Sequence, residues 1–141
     1  METQSFADLE MLQASLTSVF AEWVQRLDLR VLEARAGEVV LALPITREHV
    51  HAGGVLCGQT MMAACDTAMV LAIMTRLGGF KPMTTVQLQT SFLRPVSGAS
   101  GACRVVARVL RMGRSLVFGE VQVINADDEL AAHATTTYAL M

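Results

Sequence analysis

Gln59-Thr-Met-Met-Ala-Ala-Cys-Asp66-Thr-Ala-Met-Val-Leu-Ala-Ile-Met-Thr-Arg-Leu77, followed by Gly78-Gly79, is the stretch that decides the fold. Small and straight-chain residues dominate it, no proline interrupts it, and the paired glycines supply a left-handed stop, so it reads as one helix. Apolar side chains fall on nearly every side of that helix rather than on one stripe. Such a helix must be covered on most of its circumference, as when a sheet wraps it and a second subunit covers the rest. Its apolar run from Met61 to Met74 is interrupted by Asp66 and falls short of the roughly 20 residues needed to cross a bilayer, so no membrane span is expected.

Outward from this helix the chain changes period. Upstream, Phe6, Leu9, Leu12, Leu16, Val19, Phe20, Trp23, Val24 and Leu27 recur at spacings of three and four, predicting an amphipathic helix that ends near Asp28. Leu29 to Leu32 and Glu38 to Leu43 turn β-branched and alternating around Ala36-Gly37, which predicts a hairpin closed by Pro44. Beyond Pro82, Thr84 to Leu93, Gly101 to Leu110, Ser115 to Asn125 and Leu130 to Leu140 predict four strands, joined by turns short enough for a meander of antiparallel neighbours. On the first of them Val86, Leu88 and Phe92 are expected to face inward, with Thr85, Gln87, Gln89 and Ser91 on the opposite face. The order predicts one α+β domain over residues 1–141, an antiparallel sheet curled around a long buried helix with an additional N-terminal helix: the hotdog arrangement.

Composition narrows the function classes. Of the 141 residues 52% are hydrophobic and 17% charged, more apolar surface than a compact monomer of this size needs, so self-association is expected. A formal net charge of -2 offers no basic field for neutralising phosphates along a duplex, which disfavours nucleic acid. Cys57, Cys65 and Cys103 are odd in number and lie among apolar residues, as reduced thiols do. With no basic and apolar leader pattern at the N-terminus, a cytoplasmic location is expected.

The same helix carries the candidate chemistry. Asp66 is the only charged residue between His51 and Arg76, and a carboxylate set among apolar helical neighbours is suited to act as a general base or nucleophile. Gly58 stands at the expected helix start, where unpaired N–H groups and the absence of a Cβ let a carbonyl oxygen approach. His51 on the preceding loop could orient water or a carbonyl, and is better placed than His49; two histidines without carboxylates make no convincing metal site. Cys57 at the helix start is a conceivable nucleophile, though a cysteine filling a tight turn is the commoner case. The Thr85 hydroxyl could position water or a carboxylate. Arg104, Arg108, Arg111 and Arg114 mark one hairpin, and Arg111 and Arg114 flank its turn, where guanidinium forks could hold phosphates.

The stretch His51-Ala-Gly-Gly-Val-Leu-Cys57-Gly58-Gln59 and then Asp66-Thr67-Ala68 resembles the signature of the hotdog-fold phenylacetate-pathway (PaaI-like) thioesterases, and Ser91-Phe92-Leu93-Arg94-Pro95 looks like that family's strand ending. The resemblance runs from about Val39 to Leu140 and puts Gly58 on the oxyanion glycine, Asp66 on the catalytic carboxylate and Thr85 on the small hydroxyl residue of the next strand. His51 stands where Asn is usual, Cys57 where His is usual and Gln59 where a second Gly is usual; Cys57 and Gln59 are expected to border the substrate. The resemblance implies hydrolysis of acyl-CoA thioesters, with coenzyme A as part of the substrate and no metal or redox cofactor. It also implies a homodimer or homotetramer with Gly58 of one chain facing Asp66 of the other. A non-catalytic acyl-CoA binding module is the alternative that the three departures leave open.

Overall fold

The computed structural model describes residues 6–141, with side chains from Leu9 onward, so the place of Phe6 in the first apolar stripe lies outside the described side chains. Helix α1 spans Phe6–Ser15 and a short α2 spans Glu22–Gln25. A hairpin of β1 (Arg30–Arg35) and β2 (Glu38–Pro44) follows, then α3 (Gly58–Leu77), then β3 (Met83–Phe92), β4 (Ala102–Met112), β5 (Leu116–Ile124) and β6 (Leu130–Leu140). All six strands form one antiparallel sheet in the order β1-β2-β4-β5-β6-β3, curled around α3 in the hotdog arrangement.

The central helix ends where its sequence says it should, with Gly78 at φ 83° and its N–H on the Met74 carbonyl. Met69, Leu71, Ile73 and Met74 have no exposed surface and pack against Leu41, Leu43, Val105, Val121 and Val123 of the sheet. Each such side chain is worth about 1.5–3 kcal/mol on burial. Gly119 on β5 permits the close approach: a Cβ there would fall 2.3 Å from the Met69 Cε. By length and composition α3 could cross a membrane, yet most of it is enclosed by its own sheet.

Three expectations are corrected. The first helix is not continuous to Asp28, because the Ser15, Thr17 and Ser18 hydroxyls donate to the carbonyls of Met11 and Ala14 and the chain loosens into turns before α2. The strands after α3 are not a simple meander: β3 pairs with β6, and only β4, β5 and β6 run as consecutive neighbours. Segment 93–101 carries the chain away from β3, burying Val96 and accepting the Leu56 N–H on the Val96 carbonyl. Third, the pairing of β3 with β6 slips between Thr85 and Gln87, which puts Thr85 on the inner face with Leu88 and leaves Val86 59% exposed. A bulge of this kind re-aims the side chains on either side of it.

Candidate active site

Asp66 lies near the middle of α3, half-buried, on the side of the helix that faces β3 and β6. Its Oδ1 accepts from the Thr85 hydroxyl at 2.9 Å and from the Tyr138 hydroxyl, which also lies 2.8 Å from the Asp66 carbonyl oxygen. No group among the described residues donates to Oδ2, so one carboxylate oxygen is fixed and the other is open. The bulge at Val86 is what brings Thr85 to this face, opposite Tyr138 in the register. Burial, and after it the negative charge of Asp66, pushes the Tyr138 hydroxyl well above its ordinary range, so it remains a donor. Sequence reasoning missed Tyr138; its one signal is that it is the chain's only tyrosine, with a hydroxyl that needs a partner when its ring is buried.

Gly58 opens α3. Cys57 before it is extended and gives no side-chain cap, and no acceptor among the described residues takes the Gly58 or Gln59 N–H. These donors sit at the positive end of a 20-residue helix. The Phe92 ring stands against Gly58, with its Cζ 3.2 Å from where a Cβ would be, so glycine here is a matter of space. Beside it a groove of about 360 Å³ is lined by Gly58, Met61, Phe92, Leu93 and Arg94. Arg94, unremarked by the sequence reasoning except within the quoted strand ending, is the arginine at this groove; it donates to the Leu130 carbonyl at 3.0 Å.

The two loop histidines take different places. His51 is exposed, and its Nδ1 accepts the Gly53 N–H at 2.9 Å, closing its own turn. His49 instead reaches the helix start: its Nδ1 lies 3.2 Å from the Thr60 hydroxyl, which lies 3.0 Å from the Cys57 sulfur. Gln59 is exposed beside them. Cys65 and Cys103 are buried, and burial pushes their thiols up to about 12 and about 11, which removes them from nucleophilic chemistry near neutral pH. Arg111 and Arg114 are exposed and unpaired with any carboxylate among the described residues. Their hairpin abuts the β6 end that holds Tyr138, at the opposite end of β3 from Gly58.

Within one chain the donor and the carboxylate do not meet. Eight residues of helix separate Gly58 from Asp66, about 12 Å at about 1.5 Å per residue. A carbonyl held at the one is out of reach of the other.

The thioesterase superfamily model matches residues 53–132, a span that includes Gly58, Asp66 and Thr85. A candidate esterase of Thermoplasma volcanium is 32% identical over 106 residues, 75% of this chain and 77% of that protein. Zebrafish thioesterase superfamily member 2 superposes with a TM-score of 0.83 at 25% identity, covering 94% of this chain and 98% of its own. A hypothetical thioesterase protein of Streptococcus pneumoniae, solved with coenzyme A, superposes at 0.74 and 17% identity over 80% of this chain and 85% of its own, a likeness of fold. The matched segment carries the helix, the carboxylate and the strand that fixes it, and the chain belongs to the thioesterase superfamily.

Proposed function

We propose that this protein hydrolyses acyl-CoA thioesters to the free acid and coenzyme A, as a homodimer or homotetramer whose sites form between copies. The observation that carries the reading is the Asp66 carboxylate, with Oδ1 held by Thr85 and Tyr138 and Oδ2 open. The Gly58 N–H of one chain binds the thioester carbonyl oxygen, and Asp66 of the other activates water or attacks the carbonyl carbon. As the oxyanion collapses the C–S bond breaks and the coenzyme A thiolate leaves to take up a proton; where water attacked, the acyl carbon keeps the water oxygen as the free acid, and where Asp66 attacked, water then hydrolyses the mixed anhydride, releasing the acid and restoring the carboxylate. The 12 Å between Gly58 and Asp66 is the reason a second copy is needed.

The copies would meet along β3, one of the two edge strands of the sheet, where Val86, Phe92 and the following Leu93 are exposed. His51 orients water or the carbonyl from the loop, and Cys57 and Gln59 border the thioester. Arg111 and Arg114 meet the phosphates of coenzyme A, which the similar Streptococcus pneumoniae protein was solved with. Within the superfamily we favour the phenylacetate-pathway branch, on the Gly58, Asp66 and Thr85 positions. No metal or redox cofactor takes part, and a cytoplasmic location suits free Cys57, Cys65 and Cys103.

The test is thiol release from short, medium, long and aryl acyl-CoA substrates, comparing the unaltered protein with Asp66→Ala, Cys57→Ser and His51→Ala. Asp66→Ala should lower kcat by about 10²–10⁴-fold, the usual worth of a positioned acid or base, with its thermal midpoint retained. Loss with Cys57→Ser instead would move the chemistry to the thiol. Binding of acyl-CoA without thiol release would make the protein a non-catalytic acyl-CoA binding module.

A further inference from the structure

The apolar periodicity of the N-terminal region counts Trp23 as a core residue, yet 56% of it is exposed, and Phe20 beside it is only half-buried. Neither ring is loose decoration. Buried Leu27 and the packing of Phe20 and Val24 against the core hold this segment in place, and the Gln25 Nε2 donation to the Phe20 carbonyl at 2.7 Å closes it on itself. Between the segment and the helix lies a cavity of about 140 Å³, lined by Phe20, Trp23, Val24, Ala63, Val70 and Asp66. Thr67 completes the lining, its hydroxyl turned back onto the Ala63 carbonyl, and among the described residues Asp66 is the only charged group in that wall. A mostly apolar, aromatic-lined cavity with one carboxylate converging on it is the form a small-molecule site takes.

We infer that Phe20 and Trp23 are the end wall of the acyl pocket, and that Trp23 sets the length of the acyl group delivered to Asp66. The inference rests on the thioesterase reading and deepens it. A group whose carbonyl carbon is reached by Asp66 has the rest of its acyl part within this cavity, because the other sides of Asp66 are occupied by Thr85 and Tyr138. A cavity of about 150 Å³ holds one benzene ring. The space beside Asp66 therefore takes a compact acyl group of about six carbons, chain or ring, and Trp23 stops a longer one. A wide indole at the rim does this without polar contacts, and its exposure in one chain costs little because its work is to meet a ligand.

The chain holds one tryptophan, so emission from Trp23 reports the pocket without turnover. The probes are S-hexyl- and S-dodecyl-coenzyme A, thioethers that the enzyme does not cleave, alongside thiol release from hexanoyl- and dodecanoyl-CoA. S-hexyl-coenzyme A should shift the Trp23 emission at least about 10-fold more tightly than the S-dodecyl compound, in the range that pocket misfit gives. Trp23→Ala should raise kcat/KM for dodecanoyl-CoA relative to hexanoyl-CoA by about 10-fold or more, and Trp23→Phe should keep most of the original preference. Thiol release with unchanged emission, or equal use of both chain lengths by the unaltered protein, overturns the pocket and leaves the thioesterase reading standing. An emission shift with S-hexyl-coenzyme A but no thiol release overturns that reading and keeps the pocket.

Discussion

Strands β3 and β4 follow one another in the chain, have nearly equal length and are both rich in β-branched residues, yet they end in opposite situations. On β4, Cys103, Val105 and Ala107 are buried against α3, and β2 and β5 occupy both edges. No residue of β3 is buried; one edge is open, and Val86 and Phe92 are 59% and 47% exposed. Both strands are well satisfied in their backbone pairing with the neighbours they have. The difference lies in what each wall is built against. The β4 side is finished by the chain's own helix, whereas the β3 side carries apolar surface that one copy does not use, together with Thr85, Phe92 and the carboxylate of the candidate site.

Charging the open β3 edge should have the strongest effect. Val86→Lys with Gln89→Lys repeats two cations across any two-fold contact along β3, and like charges set face to face cost several kcal/mol. Self-association should weaken about 100-fold or more, and thiol release should fall in step with the fraction of associated chains, because Gly58 and Asp66 of one chain are too far apart to share a carbonyl. Sedimentation across a concentration series, with activity measured on the same samples, checks this. A variant that stays monomeric and keeps full turnover would mean that the unfinished wall has nothing to do with the site.

A milder pair of substitutions sharpens the contrast with identical chemistry on both strands. Val105→Ala removes two methyl groups from a side chain with no exposed surface and should cost about 1–3 kcal/mol in transfer and cavity terms. Val86→Ala removes the same atoms from a side chain 59% exposed and should stay within about 0.5 kcal/mol in a dilute, dissociated sample. Urea unfolding at low protein concentration reads both. Equal costs would show that β3 is covered in the free chain after all.

These two strands also mark what the sequence can and cannot tell. The helix α3 was legible because its causes are local: propensity, an all-round apolar surface, and Gly78 at positive φ. Gly58, Asp66 and Thr85 were legible as residue types suited to chemistry at a helix start, on an apolar helix and on the following strand. Tyr138 was not, since its hydroxyl meets Asp66 across 72 residues of sequence and only strand register decides that contact. The place of β3 was hidden for the same reason. Its separation from β4 depends on segment 93–101 bonding back to Gly54 and to Leu56, and nothing in a run of strand residues announces such a crossing. The bulge at Val86 has no glycine to mark it, so strict alternation put Thr85 on the wrong face. The N-terminal stripe misled in a third way, because Ser15, Thr17 and Ser18 turn their hydroxyls onto the backbone and interrupt a helix whose apolar spacing runs on.

The smallest expected effect tests the finished wall alone, by pH. Cys103 of β4 and Cys65 of α3 are both buried in it, with thiols raised from 9.0 to about 11 and about 12, chiefly by burial. In each the folded chain binds its proton more tightly than the unfolded chain does. The protonated native state therefore holds its full advantage below pH 9, and that advantage is lost as pH rises from 9 toward the folded values, while the unfolded thiols ionise freely. At pH 10 each thiol should have withdrawn on the order of 1 kcal/mol, since one pH unit is worth about 1.4 kcal/mol per proton. Tyr138, raised above 10.0 by burial and by Asp66, begins to add to the loss near pH 10 and does so fully only at higher pH, on the side of the site. Urea unfolding at pH 7, 9 and 10 should thus show a small loss at pH 9, about 0.8 kcal/mol for the two thiols together, and a larger drop at pH 10. A Cys65→Ala, Cys103→Ala double variant should lose most of that drop while starting from a lower value at pH 7. An undiminished drop in the variant would mean the alkaline loss does not arise from the core between α3 and β4, and the contrast between a sealed wall and an open one would have to be drawn elsewhere.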